Sequence, residues 1–440
     1  MSDARFHIAN FGCRASQSEG AAIEDELRSS GARQTGSALD AEVVIVNSCT
    51  VTEEADRDVR RLIRRVARRN PDSRIIVTGC YAQRRPEELA AMPGVQYVVG
   101  NSHKSQVPTL ARDTLDDIDA GNPNGRAEIF CSDIFEERLL GPTDHQGSSG
   151  RTRATVKVQD GCNANCSFCI IPSVRGRSRS LAPASVIAEV RALVDRGYRE
   201  VVFSGIHLGS YGRDLEPATR FSTLIRTLLE DIPDLERLRL SSIEPLEVTD
   251  DVLGLVAGEP RIARHLHVPA QSGSSRILRA MRRPYSGPEY ADLAARIRDA
   301  VPDAAIGADV MVGFPGETDD EFMETYRLVE SSPLTYLHVF PYSARPGTPA
   351  AEMDNPVPEH VARFRGQHLR SLIARKNAAF REGFVGRELD VLIYDEADEG
   401  GWRAGISDNF IRVEAPASVE VNRWRRVRVV AAGEKGLRVA

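Results

Sequence analysis

The sequence predicts an α/β chain in three parts: an N-terminal three-layer βαβ domain (1–140), a partial (β/α)6 barrel (151–384) and a small C-terminal β-barrel (385–440). Three observations predict it. Apolar runs rich in Val and Ile alternate with helix-like stretches at the N-terminus, the βαβ pattern of a buried parallel sheet. Six further strand-like runs separated by helical stretches follow the polar segment GPTDHQGSSG (141–150), which reads as a linker. After a Pro-rich break at NPVPEH and a helix to about residue 384, short strands begin at GRELDVLIYDE.

The N-terminal part takes its shape from three segments of one design. HIANFGC ends at Cys13, VVIVNSC at Cys49 and RIIVTGC at Cys80, each an apolar run closed by a small-residue turn and a cysteine. Ligands of parallel α/β sheets bind beyond the carboxyl ends of the strands, so these three thiols are expected to converge there. A lone cysteine is most often a buried small hydrophobe; three at equivalent strand ends point to a shared cluster. Cys131 has no such placement and reads as structural.

Between two of these strands lies DRDVRRLIRRVARRN, with seven arginines. Val59, Leu62, Ile63 and Val66 recur at helical spacing and face a core. Arg57, Arg60, Arg61, Arg64, Arg65 and Arg68 cover the rest of the helix, as a solvated face or as a contact for an RNA backbone.

The barrel strands are ATVKVQDG, EVVFSG, RLRLSS, HLHVPA, AIGADVMVGF and TYLHVFPYS, with helices such as PASVIAEVRALVDRG and FSTLIRTLLEDI between them. Sites in such barrels lie at the carboxyl ends of the strands. Immediately after the first strand stands CNANCSFC, with Cys162, Cys166 and Cys169. Three thiolates on one loop can wrap three corners of a cubane [4Fe–4S] cluster, whereas electron-transfer clusters use four cysteines. The iron left over is then open to a substrate, as catalytic metal sites keep a position free. A zinc site is the rival, but no fourth Cys or His lies close by.

Composition limits the alternatives. Seven cysteines in 440 residues are sparse and odd in number, unlike a secreted disulfide scaffold. No apolar run approaches the roughly 18 residues that cross a membrane. The start, MSDARFHIAN, lacks the pattern of a signal peptide, so a cytoplasmic location is expected. A net charge of −6 argues against nonspecific nucleic-acid binding over the whole surface.

CNANCSFC, with Phe168 before its last cysteine, resembles the signature of radical S-adenosylmethionine enzymes. Over essentially the whole chain, NFGCRASQSE, NSCTVTEEAD, TGCYAQ, QDGCNANCSFCIIPSVRGRSRS, HLHVPAQSGS, VMVGFPGET and FPYSARPGTPA resemble the methylthiotransferases of that superfamily. The resemblance implies two [4Fe–4S] clusters: one on Cys162, Cys166 and Cys169 that cleaves S-adenosylmethionine, one on Cys13, Cys49 and Cys80 that holds the sulfur to be donated. It also implies a reductant protein, a sulfur donor and a C-terminal TRAM-like module that binds RNA. RLSSIEP with Glu244, and SGIHLGSYG around His207, look like the branch acting on N6-threonylcarbamoyladenosine at position 37 of the tRNA anticodon stem-loop. The other branches act on isopentenyladenosine or on a ribosomal-protein aspartate. From a different class, the rival is a noncatalytic, metal-stabilised RNA-binding protein.

Four residues at strand ends are expected to bind the cofactor: Gly205, Glu244, Gln271 and Ser272. Glu244 would accept hydrogen bonds from a ribose or from substrate, against the plainer reading of a salt bridge. Gly205, with Gly209 and Gly212, lets backbone approach the cofactor or merely turns the chain. Asp309 reads as a structural hydrogen-bonding residue as readily as a functional one. Arg175, Arg177 and Arg179 either neutralise cluster or RNA charge or face solvent. In the last module, basic character is confined to Arg423, Arg425, Arg426 and Arg428 around Trp424, which stacks on a base or is buried in the barrel.

Overall fold

The computed structural model describes residues 4–116, 126–141, 152–397, 400–434 and 436–440. All but Gly141 of the expected linker lies outside the described residues. The chain divides into two compact units. One holds residues 1–150 with 155–189 and 343–351; the other holds 151–154, 190–342 and 352–440. The CNANCSFC loop therefore belongs to the same unit as the three N-terminal strand ends.

In the first unit, six strands among the described residues form a sheet. Their order is Arg33–Gln34, Arg5–Asn10, Val43–Ser48, Arg74–Gly79, Val95–Val99 and Glu128–Phe130, all parallel. Alternate residues of each strand go to opposite faces, and both faces are apolar. Val44, Val46, Ile75 and Val77 pack on Val59, Ile63 and Val66 of the arginine helix Glu53–Arg69. Phe6, Ile8, Val43 and Ile45 pack on Ile23 and Leu27 of Arg14–Ser29 and on Val107 and Ala111. The expected three-layer domain results, with the apolar stripe of the arginine helix on its core.

In the second unit, Glu200–Ser204 pairs in parallel with Arg237–Leu240, and His265–His267, Ala305–Val312 and Tyr336–Pro341 form a parallel sheet in that order. Parallel bridges Leu238–Ile262 and Ser242–His267 join the two groups, so the strands follow one another around an open barrel. Its inward side chains stack in layers. At the amino-terminal end, Glu200 holds Arg153 and Arg239, at 2.8 and 2.7 Å, and His265 Nε2 is 2.7 Å from the Tyr336 hydroxyl. Phe410 packs at a tilt on His265 with ring centroids 4.3 Å apart, and Arg239 donates to the carbonyls of Ser407 and Asp408.

Those last three residues belong to the C-terminal module, a closed barrel in the strand order Glu388–Ala397, Trp402–Ser407, Arg412–Pro416, Leu437–Val439, Trp424–Ala432. Its core is Leu389, Val391, Ile393, Val413, Val429 and Leu437. The module thus plugs the floor of the open barrel. Trp424 serves the same attachment rather than filling the small barrel: its indole N–H donates to the Arg199 carbonyl at 3.3 Å, and Arg237 lies 4.4 Å over its ring. Among the described residues, no helix is long and apolar enough to cross a membrane.

Candidate active site

The three N-terminal cysteines stand where the strand pattern puts them, just past Asn10, Ser48 and Gly79. Two glycines make their approach possible. Gly12 has φ +112°, and a Cβ there would lie 2.9 Å from Cys49 Cβ. Gly79 has φ +97°, and a Cβ there would lie 2.4 Å from the Ser48 carbonyl oxygen. Only glycine suits both demands. Cys49 and Cys80 are buried and Cys13 is exposed. Burial, then the neighbouring Cys80 and Cys13, push the Cys49 thiol up to about 12.

Beneath this trio lies a buried charge cluster. Arg175, fully enclosed, donates from Nε to Cys80 Sγ at 3.3 Å. Its Nη1 donates to Glu19 at 2.9 Å and to Asp160 at 3.0 Å, and its Nη2 to Ser16 Oγ at 3.2 Å. Lys157 donates to Glu19 at 2.8 Å and Asp160 at 3.0 Å, and Lys104 pairs with Glu19. Burial opposes ionisation of Glu19, yet Arg175, Lys104 and Lys157 outweigh it and hold its carboxyl well below the usual range. Asp160 is lowered in the same way, burial being overcome by Arg175 and Lys157.

Three cations face two carboxylates, so the cluster carries an excess positive charge against the Cys80 sulfur. An unbalanced buried charge is costly. An anionic thiolate-ligated group at Cys13, Cys49 and Cys80 would balance it. The donor set therefore fits an iron–sulfur cluster.

The second trio is carried by the loop after Arg153–Lys157. Gly161, φ +71°, lets it fold back; a Cβ there would lie 2.0 Å from the Arg177 carbonyl oxygen. The Cys162 N–H donates to the Gly176 carbonyl at 3.1 Å, and the Ala164 N–H to Cys162 Sγ at 3.3 Å. Cys162, Cys166 and Cys169 are all partly exposed. Among the described residues, neither trio brings its three sulfurs within 4.8 Å of one another. That is wider than the roughly 3.8 Å between thiolates on one tetrahedral zinc. Arg175 and Arg179 are buried and Arg177 is exposed. Cys131 packs its sulfur 3.9 Å from the Gln83 carbonyl oxygen.

The other expected site residues lie in the second unit. Gly205 directly follows the strand Glu200–Ser204. Glu244 forms the salt bridge of its plainer reading, with Arg283, itself buried and 3.0 Å from the Tyr285 hydroxyl. Gln271 adopts φ +65°, a strained conformation for a non-glycine residue, locked by bonds to Asp309 and Met311. Ser272 is fully buried and turned to a helix, 3.2 Å from Thr325 Oγ1 and accepting from the Ser274 N–H at 3.1 Å. Gly209 packs against Glu247 and Gly212 turns the chain at φ +84°. His207 Nε2 is 3.0 Å from Glu247.

Residues 5–100 match the uncharacterized protein family UPF0004, and residues 156–329 match the Radical SAM superfamily. The fold agrees: the chain is similar to the radical S-adenosylmethionine methyltransferase TsrM from Kitasatospora setae, with a TM-score of 0.58 and 15% identity over 80% of this chain and 77% of that one. It is 38% identical to the threonylcarbamoyladenosine tRNA methylthiotransferase MtaB of Bacillus subtilis (strain 168), over 98% of this chain and 95% of the relative. To the protein of the same name from Aquifex aeolicus (strain VF5) it is 34% identical, over 95% and 98%. To the tRNA-2-methylthio-N(6)-dimethylallyladenosine synthase of Thermobifida fusca (strain YX) it is 37% identical, over 89% and 78%.

The thiolate loop and the open barrel thus define a radical S-adenosylmethionine enzyme. Within that class, the chain belongs to the methylthiotransferase family. Membership implies S-adenosylmethionine and one [4Fe–4S] cluster.

Sequence reasoning missed Arg283, Glu19, Asp160 and Lys157. It also missed Arg345, which ties the FPYSARPGTPA segment to Asp56 at 3.0 Å. The signal available for Arg345, Asp56, Glu19 and Asp160 was their place inside the motif stretches; for Lys157 there was none.

Proposed function

We propose that the chain methylthiolates carbon 2 of N6-threonylcarbamoyladenosine at position 37 of tRNA. Cys162, Cys166 and Cys169 would hold the cluster that serves S-adenosylmethionine, and Cys13, Cys49 and Cys80 a second one. When bound, these groups supply the radical that takes hydrogen from carbon 2 and the sulfur that replaces it. The observation that carries the second cluster is the excess positive charge around Arg175, aimed at Cys80.

The chain's own residues hold and screen these groups. Arg175 donates to one ligand sulfur, Gly12 and Gly79 let the three ligand-bearing strand ends approach, and Gly205, Glu244 and Gln271 stand at strand ends of the barrel for the cofactor. Ser272 supports that rim through Thr325. In this reading, 1–140 is the second-cluster domain, 141–150 a linker, 151–384 the radical domain and 385–440 a TRAM-like module. A reductant protein, a sulfur donor and a cytoplasmic setting complete it.

The anticodon stem-loop is the RNA partner, and the arginine helix is the surface offered to its backbone. Arg57, Arg64, Arg65, Arg68 and Arg69 are exposed and make no ion pair among the described residues. The basic stripe of the last module is less available, because Arg423 and Arg425 pair with Glu420 and Arg426 with Glu388.

The test is anaerobic turnover on stem-loop RNA with mass spectrometry of the nucleosides. The 2-methylthio derivative of threonylcarbamoyladenosine is the expected product. Product on isopentenyladenosine alone would move the chain to the other tRNA branch. Colourless zinc-loaded protein that forms no deoxyadenosine with reductant and S-adenosylmethionine would leave only RNA binding.

A further inference from the structure

The second layer of the open barrel holds a polar row that none of the roles above uses. His267 ends its strand opposite Gly307, Asp309 lies two residues further along that next strand, and His338 is the direct register partner of Asp309. One ligand atom from each of the three lies within 4.8 Å of the others, the only such group among the described residues. His267 is nine-tenths buried, and its Nδ1 shares a 2.7 Å hydrogen bond with Ser242 Oγ. Its Nε2 is 3.3 Å from Asp309 Oδ1 but out of hydrogen-bond alignment, and has no partner among the described residues. Toward the carboxyl ends of the strands, His338 and Phe340 are exposed, their ring centroids 6.4 Å apart.

A buried polar nitrogen left without a partner costs free energy, so its retention suggests a ligand that satisfies it. Nε2 and Oδ1 stand 3.3 Å apart without an aligned hydrogen bond between them, so Nε2 keeps its bonding capacity. The row lies inside the barrel, above the floor closed by Tyr336 and Phe410.

We propose that His267, Asp309 and His338, steadied by Ser242, read the polar substituent on N6 of the target adenine. This inference rests on the reading of the chain as a tRNA methylthiotransferase and deepens it by assigning the choice of substrate. The two tRNA substrates named among its relatives differ at this substituent. Threonylcarbamoyl carries urea N–H groups, a hydroxyl and a carboxylate, whereas dimethylallyl is a hydrocarbon. Two imidazoles and a carboxylate supply donors and acceptors for the first. Against the second they would be desolvated with nothing in exchange, and sites built to hydrogen-bond reject analogues that cannot, by up to about 10⁵-fold.

The experiment compares anaerobically reconstituted full-length protein with His338→Leu and His267→Gln variants. Two stem-loop RNAs are used, one bearing threonylcarbamoyladenosine and one dimethylallyladenosine. Both kcat/KM and equilibrium binding by fluorescence anisotropy are read as ratios between the RNAs. The parent protein is expected to favour threonylcarbamoyl by about a hundredfold or more, and each variant to cut that ratio at least about tenfold. His338 is exposed, so its substitution spares the fold. Ratios unchanged in both variants would overturn the inference. So would a stoichiometric non-iron metal in the parent that His267→Gln removes, since the row would then be a cation site. Absence of turnover on either RNA would sink the methylthiotransferase reading, and the binding ratios would still decide this one.

Discussion

The Nε of Arg175 lies 3.3 Å from the sulfur of Cys80. Arg175 ends the helix that follows the Cys162–Cys169 loop, while Cys80 begins the helix after the third N-terminal cysteine strand. One buried guanidinium therefore links the loop that carries one cysteine trio to a member of the other. It also pairs with Glu19 and Asp160, a task it shares with Lys157.

Replacing Arg175 tests that link. Arg175→Ala leaves Glu19 and Asp160 buried with only lysine partners, and a broken buried pair typically costs about 3–5 kcal/mol. Arg175→Lys keeps the charge but cannot reach the sulfur and both carboxylates at once. The lysine variant is expected to fold, with a shifted reduction potential for the cluster proposed at Cys13, Cys49 and Cys80. An unchanged potential, measured by EPR-monitored titration, would contradict the role.

Stability should depend on acid in a defined direction. The folded pKa values of Glu19 and Asp160 lie below their ordinary values of 4.5 and 3.8. Their ionised forms are therefore favoured by folding, and the contribution is complete above pH 4.5. It is lost as pH falls from there toward the depressed folded values. Thermal melting of the apoprotein should drop over that window, and more shallowly in Glu19→Gln. Equal slopes would remove the charge cluster from the account.

Gly12→Ala should separate the two trios. The added methyl meets Cys49 at 2.9 Å and the backbone sits at φ +112°, so Cys49 must move while Cys162, Cys166 and Cys169 are untouched. Iron per chain is expected to fall by about half, since each cubane holds four. Full retention of iron would count against convergence of the three strand ends.

Charge reversal on the arginine helix addresses RNA. Arg64→Glu with Arg68→Glu alters two exposed side chains and leaves Val59, Ile63 and Val66 in the core. Stem-loop affinity should fall, and the slope of log affinity against log salt should flatten by about 0.7 for each phosphate no longer neutralised. An unchanged slope would make this helix a solvated face.

How much of this was legible beforehand follows from distance along the chain. The cysteine trios were readable because spacing within a loop, or a repeated strand end, is local. The apolar stripe of the arginine helix was readable for the same reason. The burial of Arg175 was not: its partner Glu19 is 156 residues away, and only closure of the fold brings them together. Glu244 lies just past a strand, but its partner Arg283 is 39 residues on. Ser272 shares a motif with Gln271, yet its side chain meets Thr325, 53 residues on. His338 gave no sign in the sequence, as its meaning comes from its register with Asp309.

The two-cluster reading is checked by iron analysis of the anaerobically reconstituted protein. The full chain should carry about eight irons, and a Cys13→Ala, Cys49→Ala, Cys80→Ala variant about four. About four in the unaltered protein, unchanged by those substitutions, would contradict it.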